Sequence, residues 1–186
     1  MGRKSRTKGR GGEYEVRDLL TNLFYKDGSG EFVRTPLSGA WGHTKIMTGD
    51  LVPIRNDKLD ESIPFFWEVK RVDSDISVAQ LIQGFMPNRM RGWLDKAHQI
   101  CSGSSYIPLI IWRMNFMGWM VVMSLSSFYI QTELFGKQPF GCILKSNVGF
   151  EDNGVVGWVC MSFDTWSYWI SESNLIESVS SEGKCQ

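Results

Sequence analysis

Glu68, Val69 and Lys70 form an acid-x-lysine tripeptide, and Asp50 stands eighteen residues before Glu68, directly after Gly49. Phe65-Phe66-Trp67 precedes the tripeptide and Arg71 follows it, a composition with strong β character. In a strand, residues two apart project to the same face. Glu68 and Lys70 therefore stand side by side, while Val69 points into the opposite layer. A carboxylate and an ammonium among aromatic neighbours are costly to bury unless they are paired or hold an ion. If the segment carrying Asp50 pairs with this strand, a second carboxylate comes within reach. Two carboxylates with retained water make the hard-oxygen set that magnesium takes. The chemistry open to such a group is hydrolysis of a phosphate ester. A cation polarises the phosphate and acidifies a water, and a lysine positions that water or meets the developing charge. The competing reading is a Glu68–Lys70 ion pair on a solvent-facing strand, and the tripeptide alone does not choose between them.

The surrounding pattern must position these groups. Apolar Val16, Leu19, Leu20, Leu23 and Phe24 recur at helical spacing and predict a helix over Gly12–Tyr25. Asp27-Gly28-Ser29-Gly30 stops it. Strands are predicted at Phe32–Thr35, Gly49–Ile54 and Phe65–Arg71, with a turn-rich loop over Pro36–Gly42 and a polar, hairpin-like connection from Asn56 to Ser62. Helices follow at Ser77–Phe85 and Arg91–Ser102. Two strongly apolar strands, Ile107–Met114 and Trp119–Met123, flank a turn at Asn115–Gly118. Helix, strands, helices and strands in this order imply an α/β fold with a mixed central sheet flanked by helices. Residues 126–186 are expected to add a β/α extension packed on that core. Gly118–Leu125 and Gly157–Phe163 echo one another as a strand leading to a serine- or aspartate-capped helix, by coincidence or duplication. Trp158, Trp166, Tyr168 and Trp169 in the extension are expected to be core residues.

Composition narrows the classes. Twenty Lys/Arg balance twenty Asp/Glu, and hydrophobic residues make up 42%, as in a folded chain rather than a disordered one. The zero net charge hides a gradient: residues 1–50 hold nine bases against six acids, residues 151–186 only Lys184 against six acids. Arg3, Lys4, Arg6, Lys8 and Arg10 make residues 1–12 a basic, glycine-rich arm, expected to be mobile until bound and suited to phosphates or to solubility. Cys101, Cys142, Cys160 and Cys185 show no CxxC spacing, so a zinc site is not expected. Without a signal sequence or an apolar run long enough to span a bilayer, the expected location is the cytoplasm, with free thiols. His43 and His98 are isolated, the former on the loop before Asp50. Gln80 or Gln83 could touch the site from the helix after the lysine, and Arg89, Arg91 and Lys96 could meet phosphates. A polar helix surface accounts for all five.

In their order, four stretches resemble the P-D…(D/E)-x-K nuclease superfamily, and within it the Holliday-junction resolvases of archaeal and phage type. They are Lys8-Gly9-Arg10-Gly11-Gly12-Glu13, Arg34-Thr35-Pro36-Leu37-Ser38-Gly39, Gly49-Asp50-Leu51-Val52 and Glu68-Val69-Lys70. Pro108–Arg113 and Gly118–Val122 look like that family's last core strands. The resemblance implies a restriction-endonuclease-like core over residues 13–125, preceded by the arm 1–12 and followed by the extension 126–186. It implies that Asp50 and Glu68 ligate Mg2+, with Mn2+ an alternative, that Lys70 assists the attacking water, and that Glu13, the acid of the first helix, is a third metal ligand. At about 100° per residue, Glu13 lies nearer the apolar stripe than Glu15, which is expected to be solvated. Ser38 resembles the loop serine that approaches the scissile phosphate, and Arg34 joins Arg3, Lys4, Arg6, Lys8 and Arg10 as a DNA contact. The implied partners are a four-way DNA junction and a second copy of the chain in a homodimer. The alternatives are a restriction-type, nicking or repair nuclease, or a DNA-binding protein without catalysis. Gly49 departs from the pattern by replacing its proline, and the extension has no counterpart in it.

Overall fold

A computed structural model describes residues 3–35, 49–73, 76–139, 143–146, 157–173 and 175–176. The first helix, α1, spans Arg3–Phe24. Val16, Leu20, Leu23 and Phe24 are its buried stripe, as the spacing predicts, whereas Leu19, expected on that stripe, is exposed, because at about 100° per residue it falls at the stripe's edge. Its start is a correction: the helix expected to begin at Gly12 begins at Arg3. Once residues 16–24 are fixed by packing, each preceding residue adds one hydrogen bond, and Lys and Arg are good helix formers. Gly12 weakens the helix but serves its packing, because a Cβ there would lie 3.2 Å from Trp119 Cη2 and 3.4 Å from Arg71 Cβ.

Strand β1 (Gly30–Arg34) pairs antiparallel with β2 (Leu51–Arg55), Arg34 opposite Leu51. Asn56 and Asp57, both at positive φ, turn the chain into β3 (Lys58–Leu59), which folds back on β2. That double positive φ is what a two-residue hairpin needs. The site strand β4 (Phe65–Val72) joins β2 through the pair Leu51↔Trp67. Helices α2 (Val78–Ile82) and α3 (Asn88–Cys101) then carry the chain to β5 (Ile107–Met114), which runs parallel to β4. The remaining elements are β6 (Met120–Ser124), α4 (Leu125–Phe135), β7 (Ile143–Ser146), β8 (Trp158–Ser162) and α5 (Phe163–Ser171). Seven strands lie in the order β1-β2-β4-β5-β6-β8-β7, with β3 paired to β2 beside the row. This is the mixed sheet expected, flanked by helices on both faces.

Alternation along β4 and β5 divides the core into two layers. Phe65, Trp67, Val69, Leu109 and Ile111 join Val16 and Leu20 of α1 on one face. Phe66, Val72, Ile110 and Trp112 join Leu81, Met90 and Leu94 on the other. Strand β5 is buried on both faces, which is why its sequence is almost continuously apolar.

The sequence echo is a repeated unit in space. Strands β6 and β8 pair antiparallel, and each ends in a serine, Ser124 or Ser162, whose Oγ accepts the N–H three residues on at 3.0 Å. The two copies lock reciprocally: Leu125 N–H donates to Gly157 and Phe163 N–H to Trp119, both at 2.8 Å. The extension also shares the α1 layer, since Trp166 packs edge-on against Trp67, ring centroids 5.6 Å apart. Trp158, Trp166 and Trp169 are buried as expected, whereas Tyr168 is exposed. Helical spacing explains this correction: Phe163, Trp166 and Ile170 occupy the buried stripe, and Tyr168 projects from the other side. Among the described residues, no helix is long and apolar enough to cross a membrane.

Candidate active site

Asp50 is fixed from both sides before β2 begins. Its N–H donates to Trp67 C=O at 2.7 Å, and its C=O accepts from Thr35 N–H at 3.1 Å. Thr35 also donates its hydroxyl to Gly49 C=O at 2.5 Å. Gly49 is buried, and a Cβ at this position would overlap the carbonyl oxygen of Trp67 and lie 3.0 Å from Trp67 N. Glycine in place of the pattern's proline is therefore a steric requirement of the close β2–β4 approach. The Asp50 carboxylate accepts the Val69 N–H at 2.8 Å, which aims it at the tripeptide.

Lys70 closes the group. Its ammonium pairs with Glu68 Oε1 and lies 3.5 Å from Asp50 Oδ2. It also lies 3.4 Å from the carbonyl oxygen of Val69. Glu68 and Lys70 share the face of Phe66, as the two-residue period predicts, and all three polar side chains are partly exposed. Burial by itself would lower the Lys70 pKa, but the charges of Asp50 and Glu68 and their hydrogen bonds outweigh it and hold it above its ordinary value. The amine is thus a firm cation and donor.

This donor set fits a small divalent cation. Two carboxylates face one ammonium, leaving a net negative charge, and the second oxygens of Asp50 and Glu68 are engaged by no described residue. Among the described residues, no group of three or more His, Cys, Asp or Glu side chains is placed to hold a metal ion. A cation held here would take two carboxylates from the described residues and complete its shell with water, an arrangement magnesium tolerates.

Other expected residues go elsewhere. Glu13 is ion-paired with Arg34, whose guanidinium also lies 5.0 Å from the Tyr14 ring. Neither acid nor base reaches Asp50, Glu68 or Lys70 by a hydrogen bond. Glu15 is a correction: instead of being simply solvated, it pairs with Arg113 at 2.6 Å and with Arg71 at 3.3 Å. The helical wheel was silent on this because both arginines come from the sheet, opposite each other in the β4–β5 register. Gln80 and Gln83 are exposed and donate to none of the three site residues. Ser38 and His43 lie outside the described residues, as do the side chains of Arg3, Lys4, Arg6 and Lys8, while Arg10 is exposed. Sequence reasoning missed Thr35 and the Val69 N–H as the groups that aim Asp50. The only signal for Thr35 was its place beside Arg34.

No curated protein and no solved structure was found to match the chain. The family described as "Phage putative PDDEXK endonuclease" matches residues 4–177, so the match runs through the extension as well as the site. The mixed sheet with flanking helices is a restriction-endonuclease-like α/β fold. The chain belongs to this family of phage PDDEXK endonucleases.

Proposed function

We propose that the protein is a Mg2+-dependent, structure-selective DNA endonuclease that resolves four-way junctions by phosphodiester hydrolysis. The observation supporting it most directly is the convergence of Asp50, Glu68 and Lys70, with the ammonium drawn between two carboxylates. In this reading Asp50 and Glu68 hold the ion, and Mn2+ can take the same oxygens. The bound ion supplies polarisation of the scissile phosphate and a more acidic water. Lys70 orients that water and donates to the charge that develops on the phosphate. The Val69 N–H keeps Asp50 in register while this happens. Glu13 is the acid contributed by α1, its charge balanced by Arg34, and Ser38 approaches the phosphate from the loop. The basic start of α1, carrying Arg3, Lys4, Arg6, Lys8 and Arg10, meets backbone phosphates together with Arg34, so affinity falls as salt rises. A homodimer would place two such sites for paired nicks across a junction.

Cleavage of a synthetic four-way junction beside a linear duplex of the same sequence, with and without Mg2+, tests the proposal. Junction cutting that requires the metal is expected, with Asp50→Ala, Glu68→Ala and Lys70→Ala each lowering the rate by about 10²-fold or more while junction binding persists. Equal cutting of the linear duplex would replace junction resolution by a restriction, nicking or repair role. Retained cutting in any two of the variants would remove the site itself.

A further inference from the structure

The turn between β5 and β6 carries a feature that the metal site does not use. Phe116 is fully exposed, and it is a non-glycine residue at φ +65°. It sits at the third position of a tight turn closed by Met117 N–H to Met114 C=O at 3.3 Å, a position that favours glycine. Apolar burial and backbone preference both argue against a phenylalanine here. The turn is nevertheless firmly mounted. Asn115 Nδ2 donates to Asp73 Oδ1 at 3.2 Å, and Arg113 lies 4.5 Å over the Trp119 ring while pairing with Glu15. A rigid base thus presents one aromatic ring to solvent.

Its location gives the ring a role. Lys70 pairs with Trp112 in the parallel β4–β5 register, and Phe116 follows four residues later. At about 3.3 Å per residue the separation along the strands is at most about 13 Å, close to four base steps. The end of the sheet that bears the turn also meets α1 near Arg71 and Arg113, and α1 continues from there into its basic, acid-free first turns. A single ring is too small to anchor a protein interface or a membrane. A nucleobase stack, whose phosphates the neighbouring cations attract, offers it a partner of its own size. We propose that Phe116 is a wedge that stacks on or between nucleobases beside the scissile phosphate and opens the duplex there. This rests on the nuclease reading above and adds a specificity-determining residue to it.

The test uses the full-length protein and DNA carrying 2-aminopurine within four steps of the cut, read by fluorescence without divalent metal and by cleavage rate with Mg2+. The wild type is expected to raise the fluorescence by unstacking the probe, and Phe116→Trp to preserve the rise. Phe116→Ala is expected to abolish the rise and to slow cutting of fully paired DNA about tenfold or more. Mismatches placed at the same steps should bring that variant back to within about threefold of the wild type, since the unstacking cost is then already met. Phe116→Gly should lose the signal yet raise Tm by about 3 °C, because glycine relieves the positive φ. A Phe116→Ala protein that matches the wild type in both fluorescence and cutting of paired DNA would overturn the wedge. A wild type that shows the fluorescence rise but never cuts would overturn the nuclease reading and still support the wedge.

Discussion

A single missing methyl group decides where Asp50 stands. The Gly49–Asp50 segment approaches β4 so closely that the backbone of Trp67 occupies the space a side chain at position 49 would need. Gly49→Ala should therefore force β2 away from β4 and cost about 1–3 kcal/mol, as overpacking does in a core. The same shift would lengthen the Val69 N–H bond to Asp50, so metal affinity should fall together with stability. Thermal unfolding and titration with Mg2+ check both, and a variant as stable as the wild type would show that the approach is not tight. At this scale the role of each polar group follows from its immediate neighbours. Lys70 is held charged by two acids, and Glu15 is held by two arginines from different strands.

Elements impose their own conditions. Strand β4 offers Glu68 and Lys70 to one face because its other face must bury Trp67 and Val69 against α1. The β6–α4 and β8–α5 units both rely on a serine that satisfies an otherwise unpaired N–H in the first helical turn. Ser124→Ala and Ser162→Ala should each cost about 1 kcal/mol, lowering Tm by about 3 °C. The two effects should be similar, because the units are alike in cap geometry. They should not add fully, because the capped segments lock each other through the Leu125–Gly157 and Phe163–Trp119 bonds. Denaturation of the single and double variants measures this, and strict additivity would mean that the units fold independently.

Across the whole molecule, one core unites the site with the extension. Trp166 of α5 lies against Trp67, the residue that also accepts the Asp50 N–H, so α5 packs beneath the strand that carries Glu68 and Lys70. Buried titratable groups then set the pH range of this assembly. Burial pushes the Cys101 thiol up to about 11 and the Cys160 thiol up to about 12, and it also raises Tyr25. Above about pH 9 the unfolded chain loses these protons while the folded chain keeps them, so stability falls as pH rises. The raised Lys70 pKa acts the same way: its contribution is complete below 10.5 and is lost through the higher folded value. Burial lowers His98, against a smaller opposing effect of Asp95. Unfolded chains therefore take up its proton first, and stability falls as pH drops through 6.5. Urea midpoints should be highest between about pH 7 and 9, and His98→Gln should soften the acid limb. An unchanged acid limb in that variant would assign it to other groups.

Residue spacing and composition alone determined that Glu68 and Lys70 share a face, that Ile107–Met114 is a strongly apolar strand, and that Val16, Leu20, Leu23 and Phe24 bury one side of a helix. These are local periodicities, set by strand pleat and helical turn, and no distant residue can alter them. Tertiary structure decided what depends on partners far along the chain. It brought Asp50 to Lys70 through one strand pair, drew Glu13 to Arg34 and Glu15 to Arg71 and Arg113, extended α1 back to Arg3, and seated Trp166 in the nuclease core. The side-chain partner of a charge is chosen by competition among groups that the fold gathers, and a linear pattern does not contain that competition. Phe116 shows the same limit in the backbone: its type was legible, but its positive φ and exposure arise only when β5 and β6 are paired and the turn between them must close.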